Sequence, residues 1–461
     1  MTSFTPQEIA SATGAVRVSG SGEGISSGVS IDSRAIRPGQ LFVAIRGKRF
    51  DGNEFAAEAL RRGAAAAIVE RRLPAEEAVS CAPVWQVSDS LHALGKLARF
   101  HRDRFRPDLV AVTGSSGKST TKEMLAHLLG KEREPLATPG TQNNRIGVPL
   151  TLFQLHGSHR AAVLELGTNQ WGEIRALTEI CRPTVGAVTN IGPAHLETFG
   201  DLQGVLRAKG ELWEAMDPSA VLALNGDDPL LAQAGRALRR KIIWFGTGPA
   251  TEVRAAGIRL EPGGSSCRVN DRWEMRLPVP GRHNVMNALA ALACAKALGM
   301  DLAEGAARMG SFAPLPGRLS ISERDGLLLL DDSYNANPAS LSAALEVMEG
   351  IERSGGRKIV VLGDMLELGE GSERLHAQAG RWIVKRHADA LVTVGPLARR
   401  ALEAALETGL LPDAGRSFET PEQAGEFLAG YVRPGDLLLL KGSRGVQMER
   451  ALACFTTSSI R

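Results

Sequence analysis

The string Val-Ala-Val-Thr-Gly-Ser-Ser-Gly-Lys-Ser-Thr-Thr-Lys-Glu at 110–123 constrains the fold more than any other part of the chain. An apolar β-type run, a glycine-rich turn and a polar helix start follow one another within it, which predicts strand, loop and helix. Gly114 and Gly117 let the backbone turn its N–H groups inward around Ser115 and Ser116, and Lys118 adds a point charge among them. Such a loop is a cradle for phosphate groups. Ser119 offers a hydroxyl where a nucleotide-bound Mg²⁺ would sit, and Thr120 supplies a second. The spacing is G-x-x-G-K-S rather than the full Walker A pattern, which would need glycine in place of Val112. A glycine turn with an incidental lysine is the competing reading; the strand before it and the helix after it argue against that.

The rest of the chain alternates in the same way, and at 461 residues it is too long for one core, so about three domains are expected. Short β-like runs at 29–31, 41–45, 66–69 and 84–87 mix with alanine-rich helical stretches, the last of them at 91–104, before a break at Arg106-Pro107. From 108 to about 313 apolar runs at 161–166, 185–191 and 220–224 end in Gly, Asn or Asp and alternate with helical segments. This predicts a parallel sheet, whose ligands gather at the carboxyl ends of its strands. After a second break near Pro314-Leu-Pro-Gly317, runs at 327–330, 359–362, 391–394 and 437–440 alternate with helical segments at 340–348 and 397–406. The expected architecture is α/β in three parts: a small α/β N-terminal domain at 1–107, a central parallel-sheet ATP-binding domain at 108–313 and a Rossmann-like domain at 314–461. No G-x-G-x-x-G is present, which argues against a nicotinamide cofactor.

Charge and cysteine content exclude several classes. Lys plus Arg total 54 against 51 Asp plus Glu, a net charge of +3, so there is no electrostatic case for nucleic acid or an anionic membrane. Cys81, Cys181, Cys267, Cys294 and Cys454 are odd in number and include no C-x-x-C pair, which suits a reducing compartment and neither a disulfide framework nor a zinc site. The first residues show neither a basic nor an apolar leader pattern, and no segment approaches the roughly 20 apolar residues that span a bilayer. A cytoplasmic, unexported monomer is expected.

If strand ends collect ligands, the polar residues after each apolar run are the candidates. Glu165 closes Ala-Ala-Val-Leu-Glu, and His195 follows Val-Thr-Asn-Ile-Gly-Pro-Ala. Ser119 and Glu165 make a reasonable Mg²⁺ site, with His195 for a second ion. Singly, strand-end carboxylates and histidines are more often solvated or capping; their occurrence together behind a phosphate loop favours ligation. Lys209 reads as an ordinary helix lysine, or as one whose pKa is lowered enough by cations for it to be carbamylated into an anionic metal ligand. His283, Asn284 and Asn287 open a helix, with both amides on one face where they could read an adenine edge or simply cap the helix. In the last part Asp332, Asn335 and Asn337 follow a run of leucines, and Arg318 sits in the hinge segment. An acidic strand end can hold ribose hydroxyls, and a hinge arginine can reach phosphate.

Taken in this order, these motifs resemble those of the Mur ligases, ATP-dependent amide-forming enzymes of peptidoglycan synthesis, across essentially the whole chain. The family pattern T-G-[ST]-x-G-K-[ST] stands at 113–119. The resemblance implies metal positions at Ser119, Glu165 and His195, a carbamylated lysine at Lys209, and adenine contacts at His283, Asn284 and Asn287. It also implies a phosphate contact at Arg318 and a ribose contact at Asp332. The strings Asp332-Ser-Tyr-Asn-Ala-Asn-Pro338 and Leu362-Gly-Asp-Met-Leu-Glu-Leu-Gly369 look like the branch that adds D-alanyl-D-alanine to a UDP-N-acetylmuramoyl-tripeptide; the D-N-P-R signature of the diaminopimelate-adding branch is absent. Asp32-Ser33-Arg34 is similar to the UDP-muramoyl-binding segment, and Thr141-Gln-Asn143-Asn144 to the loop that handles the muramoyl peptide; Asn335 and Asn337 would serve the second substrate. Asn53 departs from the family, which usually has histidine there.

The implied reaction activates a carboxylate as an acyl phosphate with ATP, after which the amine of D-alanyl-D-alanine attacks it. Another amide ligase of the superfamily, such as a folylpolyglutamate synthetase, would lack the Asp32-Ser-Arg34 domain. A nucleotide-driven switch ATPase would place its Mg²⁺ aspartate at the end of a strand within the cradle domain. The run 327–331 imitates that feature but lies beyond the second break.

Overall fold

The computed structural model describes residues 2–47, 49–74, 82–261, 263–352 and 355–457. Cys81 lies outside the described residues; Cys181, Cys267 and Cys294 are buried free thiols. The chain forms two compact units that interleave along the sequence, one of residues 1–112, 129–186 and 211–220, the other of 113–128, 187–210 and 221–461.

In the first unit a five-stranded sheet runs Val16–Ser19, Val84–Gln86, Ala66–Val69, Leu41–Val43, Val29–Ser30, parallel except for its first pair. Phe42, Ala44, Ala67 and Val69 pack with Ala56, Ala59 and Leu60 of the helix Ala56–Arg61. Asn53 is buried in this unit and acts as a bracket: its Nδ2 donates to Asp51 Oδ1 at 2.7 Å, and its Oδ1 accepts from Glu70 N at 2.8 Å. The helix Ser90–Asp103, capped by the Asp89 side chain on His92 N, packs against the helices Gly147–Leu152 and Glu173–Cys181. Strand Ala161–Glu165 lies parallel between Asp108–Thr113 and Leu136–Ala137, and its register sets Glu165 beside Val112.

The second unit carries the strands Val221–Asn225 and Ile242–Gly246, paired in parallel. Beside these parallel pairs the sheet adds strands that the alternating apolar runs do not announce. Val253–Glu261, Gly264–Val269 and Trp273–Leu277 form an antiparallel meander beside Ile242–Gly246. Its connections are too short for a crossover helix, and Asn270 and Asp271 take the left-handed φ values, +52° and +57°, of a tight hairpin. The helix Arg282–Ala297 follows, buried along most of its length.

The last six strands run Ser320–Arg324, Leu327–Asp332, Leu437–Lys441, Lys358–Gly363, Ala390–Val394, Gly415–Phe418. All pairs are parallel except the first, a hairpin turned at Asp325-Gly326. Both faces are covered. Leu330, Val360, Leu362, Leu391 and Leu439 pack into one core with the helices Pro338–Gly350 and Ser372–Lys385. Leu329, Val361, Val392 and Leu440 pack into the other with Pro421–Tyr431. Two-sided burial is why these strands read as continuous apolar runs.

Candidate active site

The predicted strand, loop and helix are present as Asp108–Thr113, a loop at 114–117 and the helix Lys118–Arg133. The loop needs its glycines. Gly114 has φ +146° and Gly117 φ +78°, and a Cβ on either would lie 1.9 Å from Thr189 Oγ1 or 2.1 Å from Asn287 Oδ1. A second loop at 189–192 latches the cradle. Ser115 Oγ donates to Gly192 O at 3.0 Å and accepts from Gly192 N at 2.9 Å. Asn190 Oδ1 accepts from Ser116 N at 3.0 Å and Ser116 Oγ at 3.2 Å, while Thr189 Oγ1 donates to Ser116 O at 2.6 Å. Lys118 Nζ reaches back over the loop to Gly114 O at 2.8 Å. Ser119 is buried and accepts from Arg318 Nη2 at 3.0 Å, so the hinge arginine meets the cradle hydroxyl; Thr120 is buried beside it in sequence. The Arg318 guanidinium also lies over the Tyr334 ring, 4.1 Å from its centroid.

Asn284 and Asn287 do share a face: Asn287 Nδ2 donates to Asn284 Oδ1 at 3.2 Å, and Asn287 Oδ1 accepts from Thr121 Oγ1 at 3.5 Å. His283 is half-buried, and burial first, then the charge of Lys441, pushes its pKa down to about 4. Asp332 ends its strand as expected and accepts from Lys441 Nζ, which also donates to Asn335 O at 3.0 Å. Burial raises the Asp332 carboxyl above the usual range, against the pull of Lys441. Asn335 Oδ1 accepts from Ala336 N at 2.9 Å and Arg444 N at 3.3 Å. Asn337 caps the helix Pro338–Gly350 through Ser340 N at 2.8 Å.

In the first unit Glu165 is 1% exposed, and its Oε1 accepts from Asn143 Nδ2 at 2.7 Å. Its other oxygen, Oε2, is buried without a hydrogen-bond partner among the described residues. Such an orphaned carboxylate oxygen is what a hard cation would complete. Asn144 caps the helix Gly147–Leu152, its Oδ1 accepting from Gly147 N at 2.9 Å. Ser33 is buried, whereas Arg34 is exposed and forms a two-pronged pair with Asp32, whose carboxyl is drawn down to about 2 by the Arg34 guanidinium.

In the second unit His195 stands at φ +54°, heading the short helix Leu196–Phe199. Its Nδ1 is 2.7 Å from Glu367 Oε2, off the alignment of a directed hydrogen bond. The histidine holds the Glu367 carboxyl below its usual range. Lys209 is 1% exposed on the helix Leu202–Ala215. Thr189, Asn190, Lys441 and Glu367 were not singled out as site residues from sequence. The first two directly follow the strand Val185–Val188, and Lys441 ends Leu437–Lys441, so inspecting every strand end would have found three of the four.

This arrangement has parallels in known proteins. The Mur ligase middle domain matches residues 112–295, the Mur ligase glutamate ligase domain 317–444, and the Mur ligase family catalytic domain 26–102. The chain is 33% identical over 424 residues to a UDP-N-acetylmuramoyl-tripeptide--D-alanyl-D-alanine ligase of Bacillus subtilis, covering 92% of this chain and 91% of that one. A crystal structure of MurF from Acinetobacter baumannii superposes with TM-score 0.89 at 34% identity, covering 99% of each chain. MurF from Thermotoga maritima in complex with ADP gives TM-score 0.83 at 30% identity, over 94% of this chain and 98% of that one. With the three-domain α/β fold, the glycine cradle and the matched segments in agreement, the chain belongs to the Mur ligase family.

Proposed function

We infer that this chain is an ATP-dependent ligase that joins D-alanyl-D-alanine to UDP-N-acetylmuramoyl-tripeptide, giving the pentapeptide precursor of peptidoglycan. Relatives of that name match it over nearly their full length. The observation that carries the reading is the cradle, with two glycines in conformations other residues resist and Arg318 set on Ser119. Joining a carboxylate to an amine in water is uphill, so the tripeptide carboxylate is first phosphorylated by ATP. The amine of D-alanyl-D-alanine then attacks the acyl phosphate, and phosphate leaves. Lys118 and the N–H groups of the first turn of its helix suit charge that grows on the transferring phosphoryl group, which is where fixed donors lower a barrier most. Asn284 and Asn287 suit the adenine edge, and Asp332, steadied by Lys441, the ribose. Ser33, Arg34, Asn143 and Asn144 are assigned to the muramoyl-tripeptide side, and Asn335 and Asn337 to the dipeptide.

The residues present suit Mg²⁺. Glu165 offers a buried, unpartnered oxygen and Ser119 a hydroxyl, both hard donors. His195 and a carbamylated Lys209 are the proposed holders of a second ion. When bound, these ions neutralise charge between carboxylate and γ-phosphate, whose repulsion otherwise amounts to several kcal/mol at an effective dielectric near 20. The enzyme is taken to work as a cytoplasmic monomer. No helix among the described residues is long and apolar enough to cross a membrane. The segments 1–107, 108–313 and 314–461 are assigned to the muramoyl substrate, ATP and the dipeptide respectively.

Phosphate release tests the reading. A ligase needs both UDP-N-acetylmuramoyl-tripeptide and D-alanyl-D-alanine for turnover; release with ATP alone at the same rate would identify a switch ATPase instead.

A further inference from the structure

The string 362–369 distinguishes this chain's branch, yet the reaction as described uses none of it. Its loop follows the strand Lys358–Gly363 and is held by hydrogen bonds to neighbouring segments. Asp364 N donates to Val394 O at 3.1 Å, Met365 N to His376 Nε2 at 2.9 Å, Leu366 N to Ser443 Oγ at 2.9 Å, and Ser443 N to Asp364 O at 3.0 Å. From this fixed base Glu367 turns at φ +64° and brings Oε2 to 2.7 Å from Nδ1 of His195, itself at φ +54°. Gly369, also left-handed at φ +64°, lets the loop run against residue 197, where a Cβ would lie 3.2 Å from Glu197 Cα. Left-handed conformations at two residues that are not glycine, facing each other across one contact, mark a geometry imposed by the surroundings.

We propose that Glu367 is a positioning residue for His195, fixing which ring nitrogen carries the proton and leaving Nε2 as the nitrogen that meets the second cation. The proposal rests on the reading above that His195 holds a metal. A neutral imidazole has one N–H and one lone pair; with a carboxylate oxygen 2.7 Å from Nδ1, a lone pair there is repelled even off its axis while an N–H is attracted, so the proton belongs on Nδ1. Histidines that bind metals characteristically give their other ring N–H to a carboxylate or carbonyl, which sets the ring and raises the basicity of the ligating nitrogen. A purely stabilising role is a weaker explanation. Glu367 is more than half exposed, and ion pairs so exposed add little to stability. Glu367 stands on the loop after a strand of the last sheet and His195 on the loop after Val185–Val188, so the contact ties the metal histidine to the segment assigned to the dipeptide.

Three measurements on the full chain test this. In metal-free protein, ¹⁵N NMR of the imidazole of His195 should show the tautomer protonated on Nδ1; the tautomer protonated on Nε2 would overturn the proposal without any variant. Titration with Mn²⁺, read by electron paramagnetic resonance in the presence of a non-hydrolysable ATP analogue, should show the second binding event weakened about 10- to 100-fold in Glu367→Ala. Glu367→Asp should recover part of that loss, and the thermal midpoint should stay unchanged. His195→Ala separates the two claims. If it weakens Mn²⁺ binding and Glu367→Ala does not, the role of Glu367 is refuted while the metal assignment stands. If His195→Ala binds Mn²⁺ as the unaltered protein does, the metal assignment fails and the proposal with it.

Discussion

Gly117 lies against Asn287: a Cβ at position 117 would stand 2.1 Å from Asn287 Oδ1. The phosphate loop and the paired amides of the helix Arg282–Ala297 are thus fitted to each other as well as to a ligand. Gly117→Ala should lower nucleotide affinity at least about 10-fold and reduce stability by about 1–3 kcal/mol, because the φ of +78° is strained for alanine even where space can be made. Nucleotide titration beside thermal unfolding checks both effects.

Glu165 keeps one oxygen on Asn143 and presents the other without a partner. Glu165→Ala and Lys118→Ala should each abolish acyl phosphate formation, a loss of at least about 10²-fold. Trapping the intermediate with hydroxylamine in the absence of D-alanyl-D-alanine reads this step alone. Normal trapping in either variant would remove that residue from the phosphoryl transfer.

Lys209 is buried on its helix. Lys209→Ala should lose most activity and regain part of it when short-chain carboxylic acids are added, since these can stand in for a carbamate. A correctly folded variant that no acid revives would count against the carbamate.

Lys441 is 1% exposed and donates to Asp332. Removing one partner of a buried pair leaves the other charge without compensation, so Lys441→Met should destabilise the protein by about 3–5 kcal/mol. Adding Asp332→Leu should recover much of that loss while nucleotide binding remains weak. Denaturant unfolding of the single and double variants separates the two effects.

Burial holds His101, His283 and His376 below the ordinary imidazole pKa, His283 at about 4. The unfolded chain therefore takes up protons at about pH 6.5 while the folded chain does not. The stability these groups contribute is complete above about pH 6.5 and declines as pH falls toward their folded values. Asp332 and Asp364, both raised by burial, act in the opposite sense, taking up protons in the folded chain before the unfolded one. Thermal midpoints should be flat from about pH 8 to 7 and fall from about pH 6.5 to 5; no fall over the second interval would refute the assignment.

Strands buried on both faces announced themselves in the sequence, and so did the cradle, whose glycines have few other uses in such a place. Runs such as Leu437–Lys441 or Ala390–Val394 need no periodicity to be recognised. The meander at 253–277 was hidden because Val253–Glu261 is buried at only two positions, mostly exposed toward its end, and carries charge, a pattern shared with polar loops. Strand Ser320–Arg324 was overlooked although Asp325-Gly326 is a strong hairpin signal, since its residues are mostly polar and exposed. Within the site, chemistry that one residue carries was legible, as at Lys118 and Glu165. Relations between distant residues were not. Nothing local to Asn190, Glu367 or Lys441 tells that they meet Ser116, His195 and Asp332. Asn53, conspicuous as a departure from the family, proves to join Asp51 to the end of a neighbouring strand.

The latch between the loops at 114–117 and 189–192 bears on the timing of catalysis. Its donors and acceptors come entirely from the chain, so the phosphate loop acquires its shape during folding and does not wait for a ligand to mould it. The entropy of arranging those amides is surrendered once, when the polypeptide folds, instead of at every turnover. Nucleotide capture is then a docking event onto a finished surface.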